Sequence, residues 1–186
     1  MKLLFVQSNK LGSRLIRWGL NSDCSHFALC FDEGTVDKEP DTGIVFHSYG
    51  KGTQLGWLRS FLQHVTVVHC LELRVPLTLE EEEAVYKAIL ATEADRYYDY
   101  PALLWFSWRV MLWKVLRLKV EGVNRWQTTS NRLCTGIIPA VQRALQLGPV
   151  TLESTQLMSP HAIFESLKGH SKLREDQTWK HQVNNY

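Results

Sequence analysis

Residues 25–32 read SHFALCFD, and how this stretch is read decides the fold. Its alternation is that of a half-buried β-strand, and the strand opens on a histidine, His26. A second such run, GIVFHSYG at 43–50, carries His47 in its interior. The connection between them, DEGTVDKEPDTG, holds several carboxylates but not at calcium-loop spacing, so it reads as a solvated hairpin link. Antiparallel neighbours can present both imidazoles on one sheet face if the register allows it. Upstream, SRLIRWGL at 13–20 has helical spacing, with arginines opposite its apolar side, and KLLFVQ before it reads as a strand. Downstream, GWLRSFLQH reads as a short helix or turn, and VTVVHCLELRV at 65–75 as a strand rich in β-branched residues. TLEEEEAVYKAILATEA at 78–94 is the clearest helix. Thr78 stands as its N-cap with Glu81 three residues on, so the glutamate run is a solvated helix start and not a metal cluster.

The composition sets bounds on this α+β reading. With 186 residues, 45% hydrophobic and 22% charged, the chain fits one domain over residues 1–186 with an ordinary core. A net charge of +2 is too mild to argue for nucleic acid. The four cysteines, Cys24, Cys30, Cys70 and Cys134, lack paired short spacings and read as reduced thiols, which favours a reducing, cytoplasmic location. The first apolar stretch is too short for a signal peptide, and no run reaches the roughly twenty apolar residues that span a bilayer. Residues 168–186 read as a polar, fraying tail.

The segment 101–119 is densely aromatic, with Arg109, Lys114, Arg117 and Lys119 interspersed. As a helix it has one apolar and one basic side. Core or pocket wall is the first reading, and contact with a membrane surface the second. Trp105, Trp108 and Trp113 are expected to border a cleft and bind an apolar part of a substrate. Further on, NRLCTGIIPAV at 131–141 places Cys134 at the start of a helix-like run. Free N–H groups and the positive dipole end there favour the thiolate. On Cys134 alone, a buried inert thiol is the better reading. Combined with His26 as base and His47 orienting it, a Cys/His/polar constellation becomes available.

The order of these pieces resembles the circularly permuted NlpC-like branch of the papain-fold thiol hydrolases. That branch has a helix, an SH-apolar strand, a strand with the polar third residue, a Gly-rich turn and a plus-x-x-Phe-Leu segment. Here these are RLIRWGLNSDCSHFALCF and GIVFHSYGKGTQLGWLRSFL. Then come a helix, a YDY motif, a cysteine opening a helix, and an SP segment, here EEEAVYKAILATEADRYYDY, NRLCTGII and LMSPHAIFESL. The resemblance spans Leu11 to about Leu167. It implies a permuted papain-like fold, a small antiparallel sheet packed by helices with the nucleophile-bearing helix near the C-terminus. It further implies Cys134 as nucleophile, His26 as base, and His47 in a position held by Glu in many members and by His in the lecithin:retinol acyltransferase group. Tyr98 matches the tyrosine bordering the active site. Thr135, Gly136 and Pro139 depart from the family pattern.

The expectation is therefore a cysteine peptidase- or amidase-type hydrolase, cleaving an amide or ester through a Cys134 acyl-enzyme. The same triad would also serve an acyltransferase or a lipid-directed hydrolase. A zinc site at Cys134, His26 and His47 and a catalytically silent binding module are the competing classes. Cys24 is a lower-ranked rival nucleophile, since it adjoins His26. No cofactor and no metal are expected. The expected partner is a peptide, amide or acyl-ester substrate, with no nucleic acid, and the sequence leaves the oligomeric state open.

Overall fold

The apolar run at the N-terminus becomes the middle of a sheet. In the computed structural model, which describes residues 1–31, 43–49, 52–93, 97–98, 108–109, 111–118, 131–132 and 159–179, β1 (Lys2–Gln7) pairs on both sides. Leu3 and Phe5 are buried on one face, Leu4 and Val6 on the other. A strand buried on both faces needs a continuous apolar run, which LLFV supplies. On one side β1 meets β2 (His26–Phe31), then β3 (Ile44–Tyr49) and β4 (Gly52–Trp57); on the other it meets β5 (Thr66–Leu73). β6 (Tyr97–Tyr98) and β7 (Asn131–Arg132) form a separate parallel pair, and β8 (Leu173–Glu175) adds to β5. The main sheet is open and wholly antiparallel, in the order β4-β3-β2-β1-β5-β8. The protein is thus α+β.

Helices α1 (Leu11–Leu20), α2 (Leu58–Leu62), α3 (Leu79–Glu93) and α4 (Pro160–Leu167) accompany it, with a further helical turn over 111–116. On the first face, Phe5, Phe27, Leu29, Phe46 and Leu71 pack with Val85 and Ile89 of α3 and Ile163, Phe164 and Leu167 of α4. On the second, Leu4, Val6, Ala28, Cys30 and Val45 pack with Leu58 and Phe61 of α2 and with Trp179.

The caps explain where α3 and α4 begin. The Thr78 N–H donates to Glu81 Oε2 at 3.0 Å, and the Glu81 N–H donates to Thr78 Oγ1 at 3.2 Å. This reciprocal pair is the capping box expected from the sequence. Ser159 Oγ accepts from the Ala162 N–H at 3.1 Å, with Pro160 in the first turn where its missing N–H costs nothing. α1 lacks a side-chain cap and ends on Asn21 at φ 50°, a left-handed conformation that asparagine tolerates.

Two stretches differ from the sequence expectation. The Gly-rich turn after His47 is β4, an edge strand whose Leu55 and Trp57 stay exposed. The polar tail expected at 168–186 is in part structural: β8 pairs with β5, the Asp176 N–H donates to the Cys70 carbonyl at 2.9 Å, and Trp179 is only 6% exposed. One apolar residue in each of two places, Leu173 and Trp179, outweighs the polar composition around it. Among the described residues, no helix is long and apolar enough to cross a membrane.

Candidate functional site

Register brings the two strand histidines together. Ala28 of β2 faces His47 of β3 across the ladder. His26, two residues before Ala28, therefore points to the same face and lies diagonal to His47. Their ring centroids are 5.6 Å apart at an interplanar angle of 87°. Phe61 of α2 backs the His47 ring at 4.9 Å. Both imidazoles line a cavity of about 260 Å³, with Ser8, Lys10, Gln54 and Trp57 among its walls.

The approach of α1 fixes the chain just ahead of His26. Ser13 lies buried on the inner side of that helix, where its Oγ accepts from the Ser8 N–H at 3.1 Å and hydrogen-bonds the Ser25 hydroxyl. The Ser25 N–H donates to the Val6 carbonyl at 2.9 Å. Arg17 of α1 also reaches Gln7 at the end of β1. Small residues on the inner face, Ser13 and Gly19, let the helix come close enough to make these bonds.

Burial decides the charge state of the pair. His26 is 6% exposed. Burial, and secondarily the charge of His47, lowers its pKa to about 3. Burial lowers that of His47 as well. Near neutral pH both rings are uncharged, so each has a nitrogen able to take a proton. Elsewhere on this face, burial and then the Asp176 carboxylate push the Cys70 thiol far above its ordinary range. That thiol is inert.

Of the other residues expected at the site, Cys134 and Trp105 lie outside the described residues, as do Thr135, Gly136 and Pro139. The backbone of Tyr98 is in β6, opposite Arg132 of β7, and β6 lies against β4. Trp108 and Trp113 are 51% and 47% exposed and are not among the residues lining the His26/His47 cavity. Neither is a core residue. Lys114, beside them in sequence, sits 5.0 Å over the Trp18 ring of α1 and hydrogen-bonds the Trp18 carbonyl. Cys24 precedes β2 and packs into the first face with Phe5 and Phe27, away from the face of His26. Cys24 adjoins His26 in sequence but precedes β2, which begins at His26, so it does not share that strand's face with the imidazole. His64 and Gln54 also line the cavity, one just past α2 and one on the edge strand. No sequence signal marked either, since both positions depend on where β4 and α2 turn.

A second polar cluster sits on the opposite face. A shift of register between β1 and β5 at Phe5/Val6 sets His69 opposite Phe5, where its ring stacks on Phe164 of α4 at 3.9 Å and 12°. His69 Nε2 donates to Asp23 Oδ2 at 2.6 Å, and His161 Nδ1 to Asp23 Oδ1 at 2.9 Å. Burial alone would raise the Asp23 pKa, but the His69 hydrogen bond and the charges of His69 and His161 carry it below the ordinary value. Among the described residues, Asp23, Cys24 and His161 have ligand atoms within 4.8 Å of one another. The sequence expectation of no metal did not consider this group.

No family model matches the chain, and no curated protein does. Among solved structures, the chain is similar to the crystal structure of metalloprotein yiiX from Escherichia coli O157:H7. They share 16% identity over 94% of each chain, with a TM-score of 0.47. That is a distant likeness, and nothing about chemistry follows from it.

Proposed function

We propose that the protein is a thiol hydrolase of amides or esters with a permuted papain-like arrangement, in which Cys134 is the nucleophile, His26 the base and His47 the residue that orients it. The observation that carries the reading is the His26/His47 pair on one sheet face, opening into a cavity. Chain connectivity supports it too. Cys134 follows Arg132 of β7 by two residues, a span of at most about 7 Å, and β7 is tied through β6 to the edge strand that walls the cavity. In the reaction, Cys134 Sγ bonds to the substrate carbonyl carbon while its proton passes to His26. His26 then gives that proton to the leaving amine or alcohol, leaving an acyl-enzyme that water hydrolyses by the same route. Leu55, Trp57, Phe61 and Val65 among the residues lining the cavity favour a substrate with an apolar acyl portion.

Magnitudes decide how the proton moves. Taking a proton from an ordinary thiol, about 8.5, to an imidazole at about 3 costs about 7 kcal/mol at 1.36 kcal/mol per unit. A contact ion pair returns about 4 kcal/mol at an effective dielectric near 20. In this reading the buried, uncharged His26 takes the thiol proton as attack proceeds, so the resting pair is neutral. This differs from the pre-formed thiolate expected from the sequence.

The test is hydrolysis of aryl esters of graded chain length, together with mass mapping of the first cysteine alkylated in the native protein. Cys134 should label ahead of the buried Cys24, Cys30 and Cys70. Cys134→Ala and His26→Ala should each lower hydrolysis by about 10³-fold or more. Hydrolysis that survives both substitutions, or its absence from the wild type across esters and amides, would overturn the reading.

A further inference from the structure

The Asp23 cluster uses no residue of the proposed mechanism and lies on the other face of the sheet. Its donors come from three places in the chain. Asp23 and Cys24 sit between α1 and β2, His69 on β5 and His161 in the first turn of α4. We propose that Asp23, Cys24 and His161 form a binding site for a zinc-class divalent cation, with His69 holding the Asp23 carboxylate.

The donor set suits such an ion. Thiolate, imidazole and carboxylate together are the ligands of zinc and cobalt(II), whereas magnesium and calcium take oxygen alone. Distances agree. Zinc bonds of about 2.0–2.3 Å in a tetrahedron set donor atoms about 3.3–3.7 Å apart. The three donor atoms already lie within 4.8 Å of one another. Closing that difference takes a movement of about 1 Å, and it falls to the residues most able to move. Asp23 is exposed and His161 partly so, while Cys24 is buried and fixed. Metal entry replaces the His161–Asp23 hydrogen bond by two metal bonds, with the His161 Nδ1 proton relocating to Nε2 and the Cys24 thiol proton going to solvent. Three protein ligands leave a fourth position for water.

His69 has the features of a residue that orients a ligand. Its Nε2–H is committed to Asp23 Oδ2 at 2.6 Å, its ring is clamped on Phe164, and Glu175 Oε1 lies 3.9 Å from Nδ1. Carboxylate–imidazole pairs of this kind fix ligand orientation, and removing one weakens metal binding by about 10–100-fold. The Cys24 thiol stands beside the same carboxylate and hydrogen-bonds it, so thiol, carboxylate and imidazole meet at one point.

The experiment is titration of the reduced, metal-stripped full-length chain with cobalt(II), followed by zinc competition. One equivalent should bind, with a thiolate-to-cobalt charge-transfer band and the strong visible bands of a tetrahedral site, both removed by zinc. Cys24→Ser should abolish the charge-transfer band. His69→Gln should weaken binding by about 10–100-fold while the tetrahedral spectrum persists, and His161→Gln should weaken it further. Cys134→Ala should change nothing, which separates this site from one at His26 and His47. The proposal is overturned by no binding at micromolar metal, by a charge-transfer band that survives Cys24→Ser, or by one that disappears in Cys134→Ala. If Cys24→Ser does not fold, His161→Gln decides the matter, because its partly exposed side chain is dispensable to the core, and unchanged affinity there overturns the proposal.

Discussion

Acidification should unfold this protein early, and His26 is the reason. In the unfolded chain an imidazole takes a proton near 6.5. In the folded protein burial holds His26 neutral down to about 3. A depressed folded pKa means that the full stability is present above about 6.5 and is lost as the pH falls from there toward 3, because only the unfolded state gains the proton. The loss is about 1.4 kcal/mol per pH unit, so about 2–3 kcal/mol is gone by pH 4.5, and the limit is about 5 kcal/mol. His47, lowered by burial, adds to the loss with the same sign. Against a usual total of about 5–15 kcal/mol, this is a large share.

The range from pH 7 to 4.5 is informative because the shifted aspartates act below it. The carboxyls of Asp23 and Asp176 are pushed up by burial but held below 3.8 by their hydrogen bonds and neighbouring charges. Their contribution is lost only at lower pH. Urea denaturation at pH 7.0, 6.0, 5.0 and 4.5 of wild type and His26→Gln reads the effect. The wild type should lose stability steeply, and the variant, already weaker at pH 7, should lose about 2 kcal/mol less over the same range. In parallel, the His26 ring protons should show no NMR titration above pH 4. Equal slopes for the two proteins, or a His26 titration near 6.5, would refute the burial argument and with it the neutral resting pair.

Three further outcomes follow from packing. Trp179→Ala removes a buried ring from the second face and should cost about 3–5 kcal/mol, read as a fall in urea midpoint; no change would return the region after β8 to the status of a tail. Gly43→Ala would bring a Cβ to 2.9 Å from Leu58 Cδ2 and 3.2 Å from Leu58 Cβ. It should cost about 1–3 kcal/mol and, by shifting α2, lower ester hydrolysis more than it lowers melting temperature. Thr78→Ala breaks the capping box of α3 and should cost about 1 kcal/mol by thermal melting, leaving hydrolysis unchanged.

The sheet was legible where one residue in two, or every residue, had to be apolar. LLFV and FALC announce strands buried on both faces, and the Thr78/Glu81 spacing announces a cap that forms as read. His26 and His47 could share one face only if the register allowed it, and the Ala28–His47 pairing supplies that register. What stayed hidden was whatever depended on an interruption of that period. The irregularity between β1 and β5 sets His69 against α4, and no alternation in TVVHCLEL reports where an extra residue is absorbed. β4, with two glycines and an exposed edge, has the composition of a turn and becomes a strand only because β3 offers it a ladder.

The same contrast separates the two polar groups. His26 and His47 are two points on adjacent strands, so local period and hairpin order bring them together once the register is set. Asp23, His69 and His161 lie at separations of 46 and 138 residues, and their meeting requires the fold first. A loop, a strand beyond the bulge and the first turn of α4 must all be in place before Asp23 has any histidine to hold. A cluster assembled that late in the hierarchy cannot be read from spacing, and its residues carry the information that spacing omits. Asp23 accepts from two histidines while standing beside a buried thiol, and that conjunction, more than any motif, is what a divalent ion would recognise.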